Sequence, residues 1–199
     1  MNYLAHAYLS FNEPETLVGN MISDFVKGKK KFDYSAGVQR GIALHRFIDA
    51  FTDDHPATKE AKEVFRADYR LYAGAFADVV YDHFLANDAN EFTEASLMNF
   101  TQATYHQLSN YTSVFPERFQ KMFPYMQQQN WLYNYQFRLG IEKSFGGVVR
   151  RSAYLTESSK AFELFEKHYS LLQNCYKKFF PAVKQHAREK LNQLMTEMY

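Results

Sequence analysis

The sequence predicts an all-α fold, a single helical domain over residues 1–199. Three observations carry this. Apolar residues recur at three- and four-residue spacing through most of the chain, the mark of helices with one buried stripe. No period-two alternation lasts more than a few residues, so no strand is predicted. No repeat, linker or low-complexity tract divides the 199 residues, a length one core can serve.

The first helix is predicted over residues 3–11. Leu4, Ala7 or Tyr8, and Phe11 form its stripe, Asn2 is placed to cap it, and His6 lies on it. Asn12-Glu13-Pro14-Glu15 breaks the pattern, and Pro14 suits the first turn of a second helix over about 15–26. That helix carries Leu17, Met21, Ile22 and Phe25, with Asp24 near its C-terminal end. A carboxylate there opposes the macrodipole, and a bound cation is one thing that would offset it. Next come Lys27, Lys29, Lys30 and Lys31, four lysines in five residues. They read as a solubilising loop or as a docking patch for an acidic partner or a phosphate.

The organising helix is predicted over about 36–54. Leu44, Phe47, Ile48 and Phe51 make its stripe, while His45, Asp49 and Asp53 recur at four-residue steps. Such a step drifts only about 40° around the helix, so one imidazole and two carboxylates share a face. Arg46 lies beside them, placed either to contact a substrate phosphate or to hold Asp49 and Asp53. Asp54-His55-Pro56 stops the helix, because the residue before proline leaves the helical region. His55 has no assigned role.

Residues 56–69 read as a charged, exposed helix. Residues 71–85 form a second chemically loaded one, in which Asp78 and Asp82 are one turn apart and His83 follows Asp82. The rest of this helix is apolar. Two carboxylates and an imidazole are expensive there unless they are paired or ligate a metal. Further helices are predicted over about 93–111, 116–129, 131–151, 157–179 and 181–198, with Gly146-Gly147 marking a bend. Arg138, Arg150 and Arg151 are candidates for phosphate contact.

The totals exclude several classes. A formal net charge of +1 gives no bulk attraction to nucleic acid or membrane. No basic region followed by an apolar run marks a signal peptide, and no apolar stretch is long enough to span a bilayer. The single Cys175 has no partner for an internal disulfide or a cysteine metal site, which fits a cytoplasmic location. There are 15 Tyr and 19 Phe, so aromatic rings can supply much of the core area.

Four segments thus bring hard-donor or imidazole ligands to amphipathic helices: His6; Asp24; His45 with Asp49 and Asp53; Asp82 with His83. Mixed histidine and carboxylate sites suit manganese, iron, magnesium or zinc. Such a centre polarises a phosphoryl oxygen and activates water near neutral pH.

Four motifs then resemble, in order, the acyl carrier protein phosphodiesterase family. They are Met1-Asn-Tyr-Leu-Ala-His-Ala-Tyr-Leu9, Gly19-Asn-Met-Ile-Ser-Asp-Phe-Val-Lys-Gly28, Gly41-Ile-Ala-Leu-His-Arg-Phe-Ile-Asp49 with Thr52-Asp53, and Asp78-Val-Val-Tyr-Asp-His-Phe-Leu85. A looser likeness continues through Phe115-Pro-Glu-Arg-Phe119 and Trp131-Leu-Tyr-Asn-Tyr135 to the C-terminus. The resemblance implies hydrolysis of the phosphodiester that joins 4′-phosphopantetheine to a serine of acyl carrier protein. It implies a divalent metal, manganese first with magnesium, iron or zinc as alternatives, and a bundle like that of the HD phosphohydrolases.

The adjacent pair here is Asp82-His83, in the reverse of the HD order, and Arg46 follows His45. The ligands are therefore assigned from residue types and from the closer family. Asp24, His45, Asp49 and Asp82 are expected as metal ligands, with His6, Arg46, Asp53, Asp78 and His83 in catalytic or supporting roles. Lys27, Lys29, Lys30 and Lys31 are expected to dock the acidic carrier protein. Two rival readings remain at this point: a phosphohydrolase acting on a nucleotide or small phosphoester, and a non-catalytic helical binding module. The expected cleft lies between the helices at 3–11, 15–26, 36–54 and 71–85.

Overall fold

The computed structural model describes residues 1–197, and every regular element among them is helical. The N-terminal half contains α1 (Tyr3–Tyr8), α2 (Pro14–Ile22), α3 (Ala36–Asp54), α4 (Pro56–Tyr69) and α5 (Ala73–Ala86). Short 3₁₀ turns at Ser23–Phe25, Gly28–Asp33 and Arg70–Tyr72 join some of them. The remainder is α6 (Glu94–Ser109), α7 (Glu117–Gln128), α8 (Trp131–Asn134), α9 (Arg138–Arg151), α10 (Ser159–Lys167) and α11 (Tyr169–Glu197). No helix among the described residues is long and apolar enough to cross a membrane. The expected final residue of the last helix, Met198, lies outside the described residues.

Local chemistry explains the boundaries. Ser35 Oγ accepts from Val38 N at the start of α3. His55, without a role in the sequence reading, caps α4 by accepting the Ala57 N–H on its Nδ1 at 3.2 Å. Pro56 follows at the first helical position, where its missing N–H costs nothing. Thr93 and Ser96 close a reciprocal capping box on α6.

Several expected boundaries move, among them that of the second helix, which ends at Ile22 and leaves Asp24 in a 3₁₀ turn. The first helix ends at Tyr8, since Phe11 and Asn12 adopt positive φ of 54° and 65°. The expected break at Gly146-Gly147 falls instead at residues 135–137, and the glycine pair lies inside α9. Gly140 permits this by seating α9 on the end of α8, where a Cβ would stand 1.9 Å from the Asn134 carbonyl oxygen. Pro181 marks no break either: it sits inside the 29-residue α11. Phe179, Phe180 and Val183 are buried around it. Their packing offsets the roughly 3 kcal/mol that an interior proline costs.

One connected core runs through the bundle. Helix α3 lies against α2 on one side and against α4 and α11 on the other, while α5 touches α1, α4, α9 and α11. Helix α1 bridges α2 and α5, which draws the four chemically loaded segments together. The closest crossing is α2 on α3. A Cβ on Gly19 would meet the Val38 carbonyl oxygen at 2.0 Å, and one on Gly41 would meet the Thr16 carbonyl oxygen at 2.2 Å. Each mid-helix glycine costs about 1 kcal/mol relative to alanine. The approach they permit buries Val18, Ile22, Ile42, Leu44 and Ile48 completely. Each such side chain contributes roughly 1.5–3 kcal/mol, so packing wins.

Gly41→Ala must therefore push two backbones apart. We expect it to destabilise the protein by about 2 kcal/mol or more, by the cost of overpacking, in chemical denaturation. A change within about 0.5 kcal/mol, typical of a surface substitution, would show that the crossing is not tight.

Candidate metal centre

The crossing of α2 and α3 places Asn20 between two histidines. His6 Nδ1 lies 2.8 Å from Asn20 Oδ1, and His45 Nδ1 lies 2.7 Å from the Asn20 backbone oxygen. The Asn20 amide is oriented by its other bonds: Nδ2 donates to the His6 carbonyl at 2.8 Å and to Ser10 Oγ at 3.0 Å. Both ring Nδ1 atoms thus face oxygen acceptors and carry the proton. Both Nε2 atoms are left pointing at Asp49. His6 Nε2 is 3.2 Å from Asp49 Oδ1, and His45 Nε2 is 3.0 Å from Oδ2. The rings stack with centroids 3.9 Å apart. The ligand atoms of His6, His45 and Asp49 all fall within 4.8 Å of one another. Asp24, in the 3₁₀ turn after α2, adds Oδ1 at 3.2 Å from His45 Nε2.

Burial is asymmetric. His6 and His45 are buried, while the side chains of Asp49 and Asp24 are 40% and 65% exposed. The cluster is rigid at the back and open at the front. Burial lowers the His45 imidazole, but Asp24 and Asp49 outweigh it and hold it at about 9. Burial lowers His6 as well, and there the charge on His45 reinforces it, to about 4. Burial raises the Asp49 carboxyl, but the His45 hydrogen bond and the nearby Met1 amino group outweigh it and hold it well below the usual carboxylate range. The His45 hydrogen bond also lowers Asp24.

These directions test the fit of a cation. Neutral His6 turns an unprotonated Nε2 toward an ionised carboxylate oxygen, so two lone pairs oppose each other. A divalent ion held by both groups would turn that repulsion into ligation. Two imidazoles with their distal N–H groups anchored on oxygen, plus one carboxylate, are a donor set that fits such an ion, with the exposed side left for other ligands. His6, His45 and Asp49 would hold it, with Asp24 at the rim.

The other expected residues lie elsewhere or serve other ends. Asp78 stands at the edge, its buried Oδ1 3.0 Å from the Met1 amino group, which is 3.5 Å from Asp49 Oδ1. Asp82, expected as a ligand, is fully buried and caps α1 from a different helix. Its oxygens accept from Leu4 N at 2.7 Å, Ala5 N at 3.2 Å and Asn2 N at 3.4 Å. It therefore replaces the expected Asn2 side-chain cap, which makes no such bond. His83 points away, to the Tyr135 carbonyl at 2.8 Å and the Tyr169 hydroxyl at 3.1 Å. Asp53 pairs with Lys62 at 2.6 Å. Arg46 is exposed and donates to the Val26 carbonyl at 3.2 Å, so it tethers the lysine turn and holds neither Asp49 nor Asp53. Lys27, Lys29 and Lys30 are exposed and Lys31 half-buried, and none of the four pairs with a carboxylate among the described residues. Asn20 is the residue the sequence reading passed over. Its signal was a carboxamide in an otherwise apolar stripe, one residue after a helical glycine.

The pH dependence follows from His45. Its folded pKa of about 9 exceeds the ordinary 6.5. Its contribution to stability is thus complete below pH 6.5 and is lost as pH rises through about 9. Chelator-treated protein should lose thermal stability across that window, and Asp49→Asn should flatten the loss. Loading a divalent ion at about pH 7.5 should release about one proton, read with an indicator dye, because the ion displaces the Nε2 proton. Loading without proton release would place the ion elsewhere.

The profile of a known family, acyl carrier protein phosphodiesterase, matches residues 1–183. An acyl carrier protein phosphodiesterase of Yersinia enterocolitica is 34% identical over 191 residues, covering 96% of this chain and 99% of that protein. One from Photorhabdus laumondii is 33% identical, covering 96% of each chain. One from Yersinia pestis is 32% identical, with 96% and 99% covered. No solved structure matches the chain significantly. The likeness spans the helices that build the centre as well as those that wall it, and this chain belongs to the acyl carrier protein phosphodiesterase family.

Proposed function

We propose that this protein is a cytoplasmic, metal-dependent phosphodiesterase that removes 4′-phosphopantetheine from holo acyl carrier protein. The observation that carries the reading is the convergence of His6 Nε2, His45 Nε2 and Asp49 on one point, with both rings anchored through Asn20. That arrangement stands in a chain whose relatives bear the name of this activity. The donor set of two imidazoles and a carboxylate with open positions favours a first-row divalent ion, and manganese is our first choice over iron, magnesium or zinc.

When bound, such an ion polarises the phosphoryl oxygens and lowers the pKa of the attacking water. The chain's own residues do the rest. His6, His45 and Asp49 fix the position at which the phosphate is received. Asn20 keeps both rings in the tautomer that presents Nε2 outward. Asp24, exposed at the rim with Oδ1 3.2 Å from His45 Nε2, is placed to take the proton from the attacking water. The water oxygen joins phosphorus, the bond from phosphorus to the serine oxygen breaks, and that oxygen leaves with the proton that Asp24 took from the water. The products are apo carrier protein and 4′-phosphopantetheine.

The decisive measurement is phosphopantetheine release from holo carrier protein by mass spectrometry. Activity should vanish with chelator and return with manganese. His45→Ala should lower kcat by about a thousandfold or more, in the range seen when a central polar group is lost, with helical circular dichroism retained. Turnover by chelator-treated protein, or by the His45 variant, would overturn the reading.

The lysine turn supplies the docking proposal. Lys27, Lys29, Lys30 and Lys31 follow directly on Asp24, and Arg46 binds the Val26 carbonyl at their base. They form an unpaired positive lip beside the rim of the centre, suited to an acidic carrier protein. Changing Lys29, Lys30 and Lys31 to Ser should lower kcat/KM about tenfold at low salt, with kcat nearly unchanged and the salt dependence flattened. An unaltered kcat/KM would move the docking surface elsewhere.

A further inference from the structure

A groove of about 780 Å³ shares no lining residue with the metal centre and has no role in holding it. Trp131 and Asn134 from α8, Phe137 from the following link and the near side of α9 wall it, and Asn2 and Tyr3 close its inner end. Tyr3 precedes His6 by three residues on α1, so the two share a face about one turn apart. The Asn2 amide donates to the Tyr135 hydroxyl at 3.0 Å, which ties that inner end to α8.

The floor carries a second observation. Gly146 and Gly147 sit inside α9, where each costs about 1 kcal/mol relative to alanine. Gly19, Gly41 and Gly140 are each demanded by a backbone within 2.2 Å of a would-be Cβ. The pair in α9 is not: the nearest atoms are the movable ends of Arg150, at 3.4 and 3.7 Å, with Ser158 Oγ at 3.9 Å. No packing within the protein uses the space. Backbone left bare along a groove is where a ligand approaches closely.

The walls define the ligand. Phe137 and Leu139 are 46% and 59% exposed, an apolar surface that no element among the described residues covers. Asn2, Gln129 and Asn134 bring carboxamides to the lining, each bonded at one end only, to Tyr135, Trp131 and the Gln129 carbonyl, and Lys143, Arg150 and Arg151 add positive charge. An elongated, mostly apolar chain with amide groups and an anionic end matches that pattern, and the volume lies in the range of small-molecule sites, about 300–1,000 Å³.

We infer that this groove receives the amide-bearing pantetheine arm of the substrate while its phosphate lies at the metal centre. The occupant's identity rests on the phosphodiesterase reading, whereas the groove's capacity to bind does not. The arm would run from His6 past Tyr3, over the glycine pair, with its two amides against the carboxamides and its thiol end toward Phe137 and Leu139.

Trp131 is the single tryptophan of the chain and lines the groove, so its fluorescence reports occupancy directly. Pantetheine, which lacks the phosphate, is titrated into the metal-free full-length protein. A saturable change in emission is expected, and it should be lost in the Gly146→Leu/Gly147→Leu double variant. Leucine favours the helix over glycine, so that variant should keep or raise its thermal stability. Phe137→Asp, at an exposed position on another wall, should give the same loss. With holo carrier protein, both variants should raise KM about tenfold and retain the divalent-ion affinity of the parent.

No saturable change with the parent protein, or a change that survives in both variants, overturns the assignment. If holo carrier protein is not cleaved but pantetheine binding is groove-dependent, the proposed reaction falls and the groove stands. If carrier protein is cleaved with unaltered KM in both variants, the reaction stands and the groove assignment falls.

Discussion

The structure depends on two glycines that let α2 and α3 touch backbone to backbone. With side chains at Gly19 and Gly41 the helices would be forced apart, because carbonyl oxygens stand 2.0 and 2.2 Å from the missing Cβ positions. The Asn20 backbone oxygen could not then reach His45 Nδ1 at 2.7 Å. The same residue's side chain anchors His6. A packing constraint is thereby converted into a chemical one: the distance between helices determines which nitrogen of each ring is free.

A second constraint comes from α5. Asp82 accepts three N–H groups at the start of α1, groups that would otherwise be buried without partners on so short a helix. A six-residue helix has little intrinsic stability. Its axial position, and hence that of His6, is determined by this carboxylate from a distant stretch of the chain. Burial pushes the Asp82 carboxyl up to about 7 against those three bonds. Asp82 therefore serves the centre by positioning one of its donors, which is why a carboxylate in an apolar helix proved informative although its expected role as a ligand did not match its contacts.

The helical class, and α3 and α4 with their boundaries, were legible because periodicity, caps and proline all agreed there. So was the grouping of His6, Asp24, His45 and Asp49, since hard donors on edges of apolar stripes have few cheap uses. The division of labour was not legible. A four-residue spacing puts Asp49 and Asp53 near each other on one helix, but only the neighbouring α4 decides that Asp53 meets Lys62. His83 follows Asp82 in sequence, yet the turn of about 100° between consecutive residues sends it to Tyr135 and Tyr169. Pro181 and the glycine pair misled for the same reason: local propensity of about 1–3 kcal/mol is smaller than the tertiary packing that overrides it.

The exposure gradient across the centre bears on what kind of metal site the chain can make. A purely structural site closes around its ion with protein donors on all sides. Here the two imidazoles are buried and immobile, while the carboxylates at the front are 40% and 65% exposed. An ion held by His6, His45 and Asp49 would thus face solvent on the side of Asp24. Lys27, Lys29, Lys30 and Lys31 follow Asp24 in the chain, and Tyr3, one turn from His6, lines the groove that Arg150 and Arg151 also line. On the proposed reading, free ligand positions on the exposed side, with lysines close behind Asp24 in the chain, are what a phosphodiester substrate requires and a structural ion does not.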